Sequence, residues 1–240
     1  PFFYVADTWW PVPTFRYRWR EGEPQPIGPE MGLKRAVQYR KKQGFNGVAM
    51  IAAHPAWAND GLPPRVQMDD GTVIRAAWGQ DGTKSAKDMH DEDGDRPFRF
   101  PGNVPGFEKI VPDLDRINPA YFQNMDVKID YLNSQGFVPF IEPARRDIGQ
   151  VWKKFHDWPD SYTRYVQYIW SRYQANNCLF SGIHYDWSGQ SIPAEDWNAA
   201  VNGVIETYGH PPFGTLVSCN SSGSSLKNFG HIDQAKWITF

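Results

Sequence analysis

The run Cys178-Leu179-Phe180-Ser181-Gly182-Ile183-His184-Tyr185-Asp186-Trp187-Ser188 decides how this chain is read. Its first half is short and apolar and follows a helix-periodic segment. Its second half turns to an imidazole, a phenol, a carboxylate and an indole. This is the pattern of a buried parallel strand whose carboxyl end opens into a polar site, and ligands of α/β sheets and barrels bind at those ends.

Outward from this run the chain alternates in the same way. Just before it, Tyr162, Tyr165, Val166, Ile169, Trp170 and Tyr173 share one stripe at helical spacing. Earlier, FVPFI at 137–141 predicts a third strand, ending in Glu142-Pro143-Ala144-Arg145-Arg146-Asp147. Pro119 opens a helix with Phe122, Met125, Ile129 and Leu132 in register, and Gly136 stops it. GVAMIAA at 47–53 is apolar on both faces, as a covered parallel strand should be. A helix over 32–43 precedes it, with Leu33, Ala36 and Val37 on one face. FFYVA at 2–6 predicts the first strand, closed by Asp7-Thr8-Trp9-Trp10-Pro11. On the other side, Trp197, Val201, Val204, Ile205 and Tyr208 align on a helix. GTLVS at 214–218 and KWITF at 236–240 predict strands five and six.

Strand–helix alternation without a GxGxxG or P-loop turn argues against a nucleotide-binding doubly wound sheet. The expected fold is α/β, a (β/α)8 TIM-type barrel truncated after about the sixth strand. Residues 1–240 form a single, incomplete barrel domain in this reading. Residues 54–118 are too long for a βα loop and predict an insertion after strand two, over the active face. Within it, Val66-Gln67-Met68 and Thr72-Val73-Ile74 flank an Asp-Gly turn and predict a hairpin. The acidic run DMHDEDGD at 88–95 suggests a calcium loop, but it lacks the twelve-residue ligand pattern, and a solvated acidic turn fits better.

A net charge of −2 gives no reason to expect nucleic acid or an anionic membrane as partner. No apolar run approaches the roughly 18 residues that span a bilayer, and no signal peptide precedes Pro1. Nothing in the sequence indicates an oligomeric state. Trp and Tyr, 11 of each, suit either sugar-stacking surfaces or a large core. Cys178 and Cys219 fall at opposite ends of neighbouring expected strands, roughly 20 Å apart at ~3.3 Å per residue. That is beyond disulfide reach, so both are expected as free thiols.

These segments resemble the apiosidase-like, DUF4038-type glycoside hydrolases. PFFYVADTWW at the start is similar to that family's strand-one signature, and the likeness continues through QGFNGVAMI, INPAYFQNMDVKIDYLNSQGFVPFI, YTRYVQYIWSRYQ and KWITF. The resemblance implies a (β/α)8 glycosidase with an acid/base after strand four and a nucleophile after strand seven. It implies a carbohydrate substrate of plant or algal origin, secretion or a periplasmic setting, and no cofactor. Asp186 falls at the acid/base position, although His184-Tyr185-Asp186-Trp187 stands where relatives often carry a Gly-Gly-acid run. The matching nucleophile would lie beyond residue 240.

A proton donor needs a raised pKa, which burial beside Tyr185 and Trp187 would supply for Asp186; the competing role is a helix cap. Glu142 is the best partner carboxylate within the chain, or else an ion pair inside Glu-Pro-Ala-Arg-Arg. Asp7 would accept hydrogen bonds from substrate hydroxyls, or cap a helix. Trp9 and Trp10 are candidates for a stacking platform, with one of them in the core. Arg145 and Arg146 match an anionic sugar, since guanidinium forks bind such groups bidentately, or else a surface ion pair. His54, His184, Tyr185, Trp187 and Asn220 complete the expected substrate contacts. His54, His184 and Asp186 lack HxH or HxxxH spacing, so no metal is expected. No GxSxG motif supports a Ser218 or Cys219 nucleophile. Asn220-Ser221-Ser222 is formally a glycosylation sequon. The rival readings are a carbohydrate-binding barrel without catalysis and a polysaccharide lyase. The lyase would use Tyr185 or His184 as base against a uronate.

Overall fold

The computed structural model describes residues 3–20, 31–53, 65–75, 90–109, 111–186, 192–221 and 237–238. A curled, six-stranded sheet carries the site, ordered β1 (Ala6–Thr8), β2 (Gly47–Ala53), β3 (Val138–Ala144), β4 (Leu179–Tyr185), β5 (Val217–Ser221) and β6 (Trp237–Ile238). Every neighbouring pair is parallel. β2 and β3 are buried along their whole length, which fits the apolar run of β2 and the apolar first half of β3: helices cover one side and the concave interior the other.

Three strand positions differ from the expectation. β1 begins at Ala6, because Asn46 holds the preceding segment, accepting from Val5 N at 2.7 Å and donating to Phe3 O at 2.7 Å. Asp7 therefore lies inside the strand. β3 runs on to Ala144, paired with Ala53 of β2, so Glu142 sits within the ladder rather than past it. β5 starts at Val217, since Gly214 at φ 69° is part of a turn.

Helices α1 (Leu33–Lys42), α2 (Pro119–Ser134), α4 (Asp160–Tyr173) and α5 (Ala194–Tyr208) lie where periodicity predicts them. α2 starts on an Asn118 cap, whose side chain accepts from Ala120 N, with Pro119 behind it. One helix was not legible. After a 3₁₀ turn at Arg146–Ile148, α3 (Gly149–Phe155) fills the space before α4; at seven residues it spans too few turns to show a stripe. The expected hairpin is present, Arg65–Gln67 pairing antiparallel with Val73–Arg75.

A cluster of large aromatics builds the seam between α3, α4 and α5. Trp152 meets Tyr162 edge-on at 4.8 Å, and Tyr162 meets Trp197 at 4.8 Å. These rings also carry polar tips onto the sheet. Tyr162 donates to Gly182 O at 2.7 Å, Tyr165 to Pro143 O at 2.8 Å, Trp170 to Ser181 O at 3.2 Å and Tyr121 to Ala52 O at 3.1 Å. Each bond is worth about 1 kcal/mol net, whereas a carbonyl left unpaired there costs about 1–3 kcal/mol. The helices are thus tied to β2, β3 and β4.

The acidic run is a clasp where it is described. The Asp91 carboxylate accepts from Asp93 N and Asp95 N at 2.9 Å, Glu92 accepts from Trp19 N and Arg20 N, and Asp93 pairs with Arg20 at 2.6 Å. The segment fastens the Arg-rich stretch after β1. Both cysteines are free and buried, as expected.

Candidate active site

An irregularity in β4 aims the site. Ser181 pairs with Ser218 and His184 with Asn220, so β4 takes three steps where β5 takes two. Before this bulge, Phe180 stacks on Trp170 of α4, and within it a Cβ on Gly182 would meet Val201 Cγ2 of α5 at 2.5 Å. Strict alternation would send residues 184 and 186 toward the helices as well. The extra residue reverses the phase and turns His184 and Asp186 to the inner face. Ser181 braces the bulge, its Oγ donating to Ile183 O at 2.7 Å and accepting from Ile183 N at 3.0 Å.

His184 is fully buried. Its Nδ1 lies 2.6 Å from Glu142 Oε2, and its Nε2 lies 3.2 Å from Asp186 Oδ1. Trp10 packs edge-on against the imidazole at 5.1 Å, and the Asn220 side-chain amide lies 3.3 Å from Nδ1. Glu142 has no exposed surface, and its Oε1 has no hydrogen-bond donor among the described residues. Asp186 has a side chain 30% exposed. Arg146 Nη1 contacts its Oδ1, and Arg145 Nη2 is 3.6 Å from its Oδ2. Arg145 also grips Asp147. The backbone of Arg145 pairs with that of His184, which brings the ends of β3 and β4 together.

The charges follow from this packing. Burial pulls the His184 imidazole down, but Glu142 and Asp186 outweigh it and push it up to about 9. Burial raises the Glu142 carboxyl, against the opposing pull of His184. Burial also works to raise Asp186, yet His184, Arg145 and Arg146 together hold it well below the usual carboxylate range. The environment of Asp186 is therefore opposite in sign to the sequence expectation. Desolvation by burial is present, but the adjacent cations overrule it.

The remaining expected residues divide. Asp7 accepts from the Trp9 indole at 2.9 Å and pairs with Arg40 of α1 at 2.6 Å, so its carboxylate serves the helix side of β1. Trp9 is the core member of its pair, stacked on Tyr17 at 5.3 Å; Trp10 is at the site. Tyr185 faces α5 and donates to Ile192 O at 3.3 Å. Arg145 and Arg146 are buried and bound to Asp147 and Asp186 rather than forming a surface pair. Asn220 is partly buried beside His184. His54 and Trp187 lie outside the described residues. Below Asn220, a cavity of about 180 Å³ opens between β1, β2, β3 and β5, lined in part by Ala6, Ala49, Phe140 and Cys219.

A parallel, curled α/β sheet with a polar cluster at its carboxyl ends defines a protein of the β/α-barrel class. The chain belongs to the apiosidase-like catalytic domain family, whose profile matches residues 1–240. Among solved structures, a glycoside hydrolase family 5 protein from Bacteroides vulgatus is 16% identical. The match has a TM-score of 0.50 and covers 95% of this chain and 37% of that one. A second structure, described as a glycoside hydrolase, is 14% identical with a TM-score of 0.51, over 96% of this chain and 40% of that one. These likenesses concern the fold, and the chain spans well under half the length of either structure. No curated protein matches the chain. No helix among the described residues is long and apolar enough to cross a membrane.

Proposed function

We propose that this domain hydrolyses a glycosidic bond in a plant or algal polysaccharide or oligosaccharide, with Asp186 as the acid/base. One observation carries the reading. Asp186, at the carboxyl end of β4, keeps a partly exposed carboxylate beside the buried His184 imidazole and two guanidinium groups. The family to which the chain belongs supports the reaction class. Hydrolysis needs one carboxyl to protonate the departing oxygen and a second to attack carbon or activate water, about 5–9.5 Å away. We assign that second role to a carboxylate of the full-length protein on a seventh strand. Its negative charge would raise Asp186 into its protonated form, since like charges disfavour joint ionisation. Trp10 and Asn220 are proposed to contact the sugar next to Asp186, and His54 and Trp187 are proposed as further substrate contacts. Secretion or a periplasmic setting is proposed on the same family ground.

The test is Asp186→Asn in the full-length protein, assayed on an activated aryl glycoside and on native glycans. The expected loss on native glycan is about 10²–10⁴-fold, the usual contribution of a general acid, with a smaller loss on the aryl substrate. Unchanged turnover on both would end the assignment. The cation cage around Asp186 also favours a second reading, a glycan-binding barrel without hydrolysis; binding by the wild type without release of reducing ends would establish it.

A further inference from the structure

Glu142 poses a problem for any role as a reacting carboxylate. It has no exposed surface, and strands β2 and β4 flank it on either side. One oxygen holds the imidazole of His184 and the other has no donor among the described residues. A buried carboxylate half supplied with donors is destabilising relative to a neutral side chain of similar shape, so packing alone does not account for its charge.

We propose that Glu142 and His184 are positioning residues that act together, Glu142 holding the imidazole so that His184 stores and returns the proton Asp186 delivers to the departing glycosidic oxygen. The inference rests on the glycosidase reading and reassigns Glu142 from partner carboxylate to proton anchor. Glu142, His184 and Asp186 lie in series: Nδ1 is hydrogen-bonded to Glu142 at 2.6 Å, and Nε2 makes an ion-pair contact with Asp186 at 3.2 Å without hydrogen-bond alignment. The ring is fixed by the edge-on contact with Trp10, and the β4 bulge orients it.

The step balances simply. The proton leaves Nε2 of the His184 imidazolium for Asp186, and Asp186 passes it to the glycosidic oxygen as the bond from carbon to that oxygen breaks. The electron pair of the bond goes to the oxygen. Water then supplies the hydroxyl to carbon, and its other proton returns through Asp186 to His184.

The charged and titratable groups facing the ring are few. β3 and its continuation contribute Glu142, Arg145 and Arg146, with Asp147 neutralising part of Arg145. β4 contributes Asp186. From β5 come the neutral Asn220 and the Cys219 thiol, which burial pushes well up. The Tyr4 phenol, also raised by burial, faces Glu142 from before β1. Glu142 and Asp186 are thus the anions that keep the proton on the ring. The His184–Asp186 pair should lose its proton in one macroscopic step at alkaline pH.

The experiment is the pH dependence of kcat/KM for full-length wild type, Glu142→Gln and His184→Asn, on 4-nitrophenyl glycosides and a native glycan. Glu142→Gln should move the alkaline limb to lower pH by at least about one unit. His184→Asn should move it further and lose about tenfold more on native glycan than on the aryl glycoside, whose leaving group needs little protonation. A purely structural role would lower the curves without moving them, and limbs coincident with wild type would overturn the proposal. Histidine NMR titration gives a readout independent of turnover: the His184 ring should titrate at lower pH in Glu142→Gln, and no change there would also overturn it. If Asp186→Asn retains full activity while the NMR shift appears, the glycosidase reading fails and the coupling of Glu142 to His184 stands.

Discussion

Lys128 and His184 are both without exposed surface, and their surroundings push them in opposite directions. Lys128, on the inner face of α2, donates to Val12 O at 3.1 Å and Thr14 O at 3.0 Å, with Glu92 a more distant 3.8 Å away. Burial dominates there and pulls its ammonium down to about 8, against the opposing pull of Glu92 and Asp91. His184 is buried as deeply, but two carboxylates in contact with its ring reverse the outcome and hold it at about 9. Burial alone expels charge; close opposite charge keeps it. Carbonyls make Lys128 a fastener of the loop after β1, whereas carboxylates make His184 a store for a proton.

The largest effect expected from breaking this contrast is on folding. Lys128→Ala strips two carbonyls of their donor and opens a void, and should lower stability by about 3–4 kcal/mol in denaturant unfolding. A loss under about 1 kcal/mol would mean that water replaces the ammonium. The contrast also has a pH signature. The native pKa of His184 is raised, so its stabilisation is complete below an unfolded value of about 6.5 and is lost as pH rises through about 9. The native pKa of Lys128 is lowered, so the unfolded chain binds more protons between about 8 and 10.4 and stability recovers over that window. His184→Asn should flatten the fall and Lys128→Met the recovery, both read as unfolding free energy against pH. Identical curves for either variant and wild type would remove it from the comparison.

A smaller effect is expected at the bulge that turns His184 inward. Gly182→Ala places a methyl against Val201 and should cost about 1–3 kcal/mol. Val201→Ala should recover part of that loss in a double-mutant cycle, and additive losses would show that the two sites do not touch. The smallest effect belongs to the clasp. Arg20 is 71% and Asp93 43% exposed, so Arg20→Ala should cost no more than about 0.2–1 kcal/mol, and less at high salt.

Much of the frame was legible residue by residue. The stripe from Tyr162 to Tyr173 and the row from Phe122 to Leu132 announce helices because burying one face demands that spacing. The apolar runs at Gly47–Ala53 and in β3 announce strands covered on both sides. That Asp186 and Arg145 fall at the carboxyl ends of β4 and β3 was legible, because a polar run follows an apolar strand in each case. α3 was too short to show a period, and nothing in the sequence marks Lys128 as buried. Glu142 looked like a strand-ending acid open to substrate, because nothing local says that β2 and β3 pair as far as Ala53 and Ala144.

The sequence therefore determines the succession of strands and helices and the kinds of chemical group at each strand end, since both follow from local periodicity and composition. Only the tertiary structure decides which way those groups point and which charge each one carries. The β4 bulge sets the direction, in a register with β5 that no single segment encodes. The neighbours brought in by β3 and its continuation set the charge, raising His184 and lowering Asp186 across a distance that chain order does not reveal.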